Sequence, residues 1–172
     1  MTEQAFCLGC DGANSIVRRD LGIELEEGPI PGFVLLIHFK PKDLRRLHKQ
    51  GRFWHIFFPN DVAAGGSIKD AIISQDNIDT WTAHLFLPEG FDYSQVPSTQ
   101  ATYIVLGGMC APYPIEKDQV LVRSTWTPSI AVAKSYLGPL QRILIAGDAC
   151  HQTVPTGGYG MNMGIEEAFD LG

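Results

Sequence analysis

The chain has 172 residues, 45% of them hydrophobic and 19% charged, a composition that supports a buried core without disulfide staples and argues against disorder. Its 13 basic and 19 acidic side chains leave a formal charge of -6, which argues against nucleic acid or an anionic membrane as partner. That charge still leaves room for one phosphate-bearing cofactor held by local donors, and the longest clean apolar run, Phe33 to Ile37, is far too short to span a bilayer.

In chain order, Ala5 to Cys10 predicts a buried strand that runs into a turn at Asp11-Gly12. Ser15 to Leu21 predicts a short helix closed by Gly22. Phe33 to Lys40 reads as a strand by its β-branched and aromatic content, and Pro41 to Gln50 as a short helix with Gly51 past its end. Arg52 to Phe58 follows as a strand with two apolar faces, which predicts a central position in a sheet. Two more strands, Ser67 to Ser74 and Thr80 to Leu87, flank the polar turn Gln75-Asp76-Asn77. Ser98 to Leu106 is ambiguous: its Thr, Tyr, Ile and Val favour a strand, whereas Ala101, Ile104 and Val105 followed by Gly107 favour a helix, the preferred reading. Val120 to Trp126 predicts a strand, and Thr127-Pro128 predicts the start of a helix that ends at Gly138. A short apolar strand at Ile143 to Ala146 then enters a glycine-bearing loop, and Met161 begins a last helix.

Cys7, Cys10, Cys110 and Cys150 are too few and too scattered for a disulfide framework, and no secretory leader follows Met1, so a reducing, cytoplasmic setting is expected. Cys7 and Cys10 lack a second C-x-x-C or a histidine pair, so no metal is expected.

The chemistry concentrates in the segment from Gly147 to Asn162. An apolar strand delivers Gly147-Asp148 at its carboxyl end, where α/β sheets bind ligands and where a carboxylate accepts from hydroxyls. Gly157, Gly158 and Gly160 permit close approach to a flat ligand, and the Gly160-Met161-Asn162 amides open a helix whose N-terminus favours negative charge. These properties suit a reduced flavin; the rival reading is a glycine-rich connection with a structural role alone.

The segment resembles the second FAD-binding fingerprint of the flavoprotein aromatic monooxygenases, the p-hydroxybenzoate and phenol hydroxylase group, and the match continues through Glu167-Ala168 to Leu171. Leu8 to Arg18 resembles the Asp-Gly fingerprint of the same family, which serves both FAD and NAD(P)H. The resemblance implies FAD contacts at Asp11, Gly12, Arg18, Gly147, Asp148, Pro155, Gly158, Gly160, Met161 and Asn162. Arg18 would offer its guanidinium to phosphate, or else pair on the surface with Asp20 or Glu24. It also implies hydroxylation of a small aromatic or phenolic substrate through a flavin C4a-hydroperoxide, with NAD(P)H and O2 consumed and no catalytic nucleophile in the protein.

His38, His55 and His84, one to a strand, are candidate substrate contacts, with ordinary sheet histidines as the alternative. The aromatics Phe53, Trp54, Phe57 and Phe58 suit a planar substrate or an ordinary core. The implied fold class is α+β or α/β: a mostly antiparallel substrate-domain sheet over residues 23–141, plus remnants of a parallel FAD-binding sheet at 1–22 and 142–172. The family's opening βαβ unit with G-x-G-x-x-G has no counterpart here. The expectation is therefore an incomplete FAD pocket, a partner chain that supplies the missing segment, or a non-redox small-molecule binder.

Overall fold

A computed structural model of the chain describes residues 6–42, 44, 54–59, 68–76, 78–108, 110–155 and 158–172. The expected helix at Pro41 to Gln50, the start of the strand at Arg52, Phe53 and Gly157 lie outside or largely outside the described residues. The chain divides into two compact units, Met1–Ile30 with Pro128–Gly172, and Pro31–Thr127. No helix among the described residues is long and apolar enough to cross a membrane.

The central unit is an antiparallel sheet with one helix on it. Its strands are β3 (Phe33–Pro41), β4 (His55–Pro59), β5 (Ile68–Ser74), β6 (Trp81–Leu87) and β7 (Lys117–Trp126), in the order β4-β5-β6-β3-β7. Strand periodicity sends Leu35, Ile37 and Phe39 of β3 to one face, where they meet Ile72, Trp81, Ala83 and Leu85. Helix α2 (Ser98–Gly107) closes that face with Ala101 and Val105, four residues apart and both fully buried. Leu35, Phe39 and Ile72 are 0% exposed, and each such side chain contributes about 1.5–3 kcal/mol of burial free energy. The β5–β6 turn is held by Asp76, whose Oδ1 accepts from the amides of Ile78, Asp79 and Thr80.

The outer unit holds β1 (Cys7–Gly9), α1 (Ile16–Asp20), β2 (Leu25–Pro29), β8 (Ser129–Ala133), β9 (Ile143–Ile145), β10 (His151–Gln152) and α3 (Tyr159–Leu171). β1 pairs in parallel with β9, joining the two ends of the chain as the expected parallel remnant. β10, β8 and β2 form a second, antiparallel sheet. Its core is thin: Ala133, Ile145, Ala149 and Cys150, with Val17, Leu21, Ile23 and Leu25 packed beside them.

Three expectations are corrected. Residues 129–133 form strand β8, where a helix was expected after Thr127-Pro128. Ala131 and Ala133 point inward while Ile130 and Val132 stay exposed, a period of two that a helix cannot satisfy. Its pairing with β2 draws residues on both sides of the sheet unit into the outer unit. The strand at His55–Pro59 is an edge strand among the described residues, not a central one, because β3 and β6 take the middle of the sheet. Strand β1 is not buried: Phe6 is 62% and Leu8 48% exposed, and only Gly9 packs inward.

Candidate functional site

The parallel pairing sets the site. Cys7 lies opposite Ile143, Leu8 opposite Leu144 and Gly9 opposite Ile145, so both strands end level and both glycine–acid turns leave the same end of the sheet. The Ala146 amide donates to the Gly9 carbonyl at 3.1 Å, which joins the two turns at their roots.

In the first turn, Gly12 takes φ +81, a backbone state that favours glycine. Asp11 Oδ2 accepts from the Ile16 amide at 2.6 Å and the Val17 amide at 3.1 Å, capping α1. The Ser15 hydroxyl, and then these amides, hold the Asp11 carboxyl below its ordinary value. Arg18 is buried at 7% exposure, and its Nη1 donates to the Ala149 carbonyl at 3.1 Å and to the Ala13 carbonyl at 3.4 Å. Gln152 Nε2 donates to the same Ala13 carbonyl at 3.1 Å. Arg18 therefore stitches the first fingerprint to the second. Glu24, its possible surface partner by sequence, pairs with Lys134 instead at 2.6 Å.

In the second turn, Gly147 takes φ +63 and Gly158 φ +63, and a Cβ at either would meet no atom of the described residues within 4 Å. Asp148 is exposed, with no side-chain hydrogen bond to the described residues. A Cβ built on Gly160 would stand 3.5 Å from Thr153 Oγ1 and 3.9 Å from Asp148 Oδ1, so carboxylate, hydroxyl and the first turn of α3 share one surface. Gly158 caps α3 without a side-chain bond, so no described side chain takes the first-turn amides. Asn162 Nδ2 donates back to the Gly158 carbonyl at 3.0 Å, while Pro155 and Met161 are exposed on the same loop and helix start.

This donor set fits FAD. A free carboxylate accepts from ribityl hydroxyls, an uncapped helix start stabilises the anionic edge of a flavin ring, and side-chain-free backbone at Gly147 and Gly158 admits a flat ring.

Behind this surface lies a cluster that sequence reading missed. Glu167 of α3 accepts from the Gly147 amide at 2.7 Å and from His151 Nε2 at 2.9 Å, with Cys150 Sγ 3.7 Å from Oε1. Burial first, and the Glu167 charge second, push the Cys150 thiol up to about 12. The fingerprint resemblance included Glu167, but nothing in the sequence pattern says that its carboxylate folds back onto the Gly147 amide and the His151 ring.

The three histidines share one face of the central sheet, opposite α2. His38, Thr82, Ile73 and His55 lie in one cross-strand row, and Leu36, His84, Ala71 and Phe57 in the next. His38 and His55 are three strand spacings apart, about 14 Å, so one small ligand atom cannot meet both. His38 Nδ1 bonds the Thr82 hydroxyl at 2.9 Å, and His55 stacks on Phe57. His84 is half-buried, meets Trp126 edge-on with ring centroids 6.4 Å apart, and is held below 6.5 by burial and by the charge of His55.

Residues 3–172 match the family model of the FAD binding domain. The FAD-dependent monooxygenase apdD of Emericella nidulans is 59% identical over 97% of this chain and 27% of its own length. The FAD-dependent monooxygenase opdD of Penicillium oxalicum is 58% identical over 97% of this chain and 32% of its own length. The rebeccamycin biosynthetic enzyme RebC with reduced flavin superposes with a TM-score of 0.71 at 26% identity, covering 97% of this chain and 29% of RebC. The chain thus spans less than a third of the length of each of these relatives.

Proposed function

The chain belongs to the FAD-dependent aromatic monooxygenases, and on that footing we propose that it holds the flavin half of FAD and a small aromatic substrate for hydroxylation. The observation that carries this reading is the level ending of β1 and β9, which sets Asp148 beside the uncapped start of α3. When bound, FAD would supply the redox chemistry, with NAD(P)H as reductant, one atom of O2 going to an aromatic ring and the other leaving as water.

Each residue has a positioning role. The Asp148 carboxylate would accept hydrogen bonds from the ribityl hydroxyls. The Gly160 and Met161 amides, with Asn162 beside them, would donate to the pyrimidine edge of the ring. Pro155 would flank the ring, and Gly147 and Gly158 would leave room for it. Arg18, Asp11 and Gly12 act from behind by bracing the first turn against the second. On the central sheet, the histidine face receives the aromatic substrate. His84, neutral at pH 7 because its basicity is lowered, accepts a hydrogen bond from a phenolic hydroxyl, with Trp126 as a flat wall. Four free thiols suit a cytoplasmic compartment.

The test is direct. Incubate the purified chain with FAD, desalt it, and record its visible spectrum and the dissociation constant by fluorescence titration. A retained flavin band is expected, and Asp148→Ala should weaken binding about tenfold, the value of one charge-assisted hydrogen bond. A chain that binds no FAD at saturating concentration overturns the reading in favour of a non-redox small-molecule binder.

A further inference from the structure

The flavin-facing residues leave one buried cluster without a duty. His151 is 1% exposed, Nε2 is its only anchored ring nitrogen, and Nδ1 has no partner among the described residues. The acceptor is Glu167, and a carboxylate only accepts, so the shared hydrogen sits on the ring. The other Glu167 oxygen accepts the Gly147 amide. The Gly147 carbonyl is held as well, by the Cys150 amide at 2.9 Å and the Cys150 thiol at 3.3 Å. Asp148 thus lies between a glycine pinned through its amide and its carbonyl and a histidine pinned three residues on.

We propose that Glu167 is a positioning residue that, by accepting from the Gly147 amide and the His151 ring together, fixes the left-handed Gly147 turn and aims Asp148 at the start of α3. The proposal rests on the flavin reading, since Asp148 matters as the acceptor of ligand hydroxyls. Gly147 at φ +63 is free to leave that state, because glycine has little preference between the two signs of φ. A carboxylate bound to its amide removes that freedom. Loss of Glu167 would also strand a buried ring donor and a backbone amide, an arrangement folded proteins avoid. The ligand atoms of Cys150, His151 and Glu167 lie within 4.8 Å of one another, close enough to clasp an ion. Their mutual hydrogen bonds, and a thiol that burial keeps protonated, favour the hydrogen-bonded lock over a metal.

The experiment compares the full chain with Glu167→Gln and Glu167→Ala by FAD titration, by the backbone amide spectrum, and by zinc content. Glu167→Gln keeps the volume and one acceptor, so with its oxygen on the Gly147 amide it turns an NH2 donor toward the His151 nitrogen that donates in the wild type. It should raise the FAD dissociation constant about tenfold. The Gly147 and Asp148 amide signals should shift, while those of β3 and β6 stay in place. Glu167→Ala should enlarge both effects, and if it fails to fold, Glu167→Gln decides alone. Unchanged affinity and unchanged Gly147 and Asp148 signals in a wild type that binds FAD would overturn the proposal. Stoichiometric zinc that is lost in Cys150→Ser would overturn it too. A wild type that binds no FAD, with the amide shifts still present, sinks the flavin reading and supports the lock.

Discussion

His84 shows how a single side chain reports its surroundings. Burial first, and the neighbouring His55 second, make its protonated form costly in the folded chain. As pH falls, the unfolded chain takes up this proton before the folded one does. The stability tied to neutral His84 is therefore complete above about 6.5 and erodes as pH drops through the lower folded value. Thermal unfolding followed from about pH 7 to pH 5 should lose stability less steeply in His84→Gln than in the wild type. Parallel slopes in the two proteins would show that the site does not sense its neighbours. Arg18 teaches a related lesson. Its residue type suggested a free guanidinium, but carbonyls of two separate turns claim Nη1, and only the fold could bring Ala149 within 3.1 Å of it.

Between elements, β1 packs tightly against α1. A Cβ on Gly9 would stand 2.8 Å from Val17 Cγ1 and 3.3 Å from Ile145 Cγ2. Valine has little rotamer freedom to move aside, so Gly9→Ala should cost about 1–3 kcal/mol as overpacking. Urea unfolding would measure that loss, and adding Val17→Ala should recover part of it. Failure of the second change to help would locate the strain elsewhere. The same scale separates what was legible from what was not. Gly22 as stop marked the end of α1 from local chemistry, and the polar turn around Asp76 defined the β5–β6 connection. Residues 129–133 misled because a Thr-Pro helix start was a local signal, whereas partners β2 and β10 are far away in sequence.

Across the whole molecule, the two units differ in how much they bury. The central unit encloses Leu35, Ile37, Phe39 and Ile72 almost completely, whereas the outer unit leaves Met161 73%, Phe169 86% and Leu140 83% exposed. Native-state hydrogen exchange should therefore protect β3 and β6 far more than β1 and β9. FAD at about a hundred times its dissociation constant should add about 2.7 kcal/mol to the opening of the outer unit. Equal protection of both units without ligand would contradict this ranking. From the sequence came the antiparallel sheet and the two glycine–acid turns, because each rests on short-range pattern or on a long contiguous motif. Tertiary structure alone placed Arg18 on Ala149, gathered three histidines on one face, moved β4 to an edge and set Glu167 behind Gly147. Those outcomes depend on which distant segments become neighbours, and the free energy of such pairings is written in no local stretch of the chain.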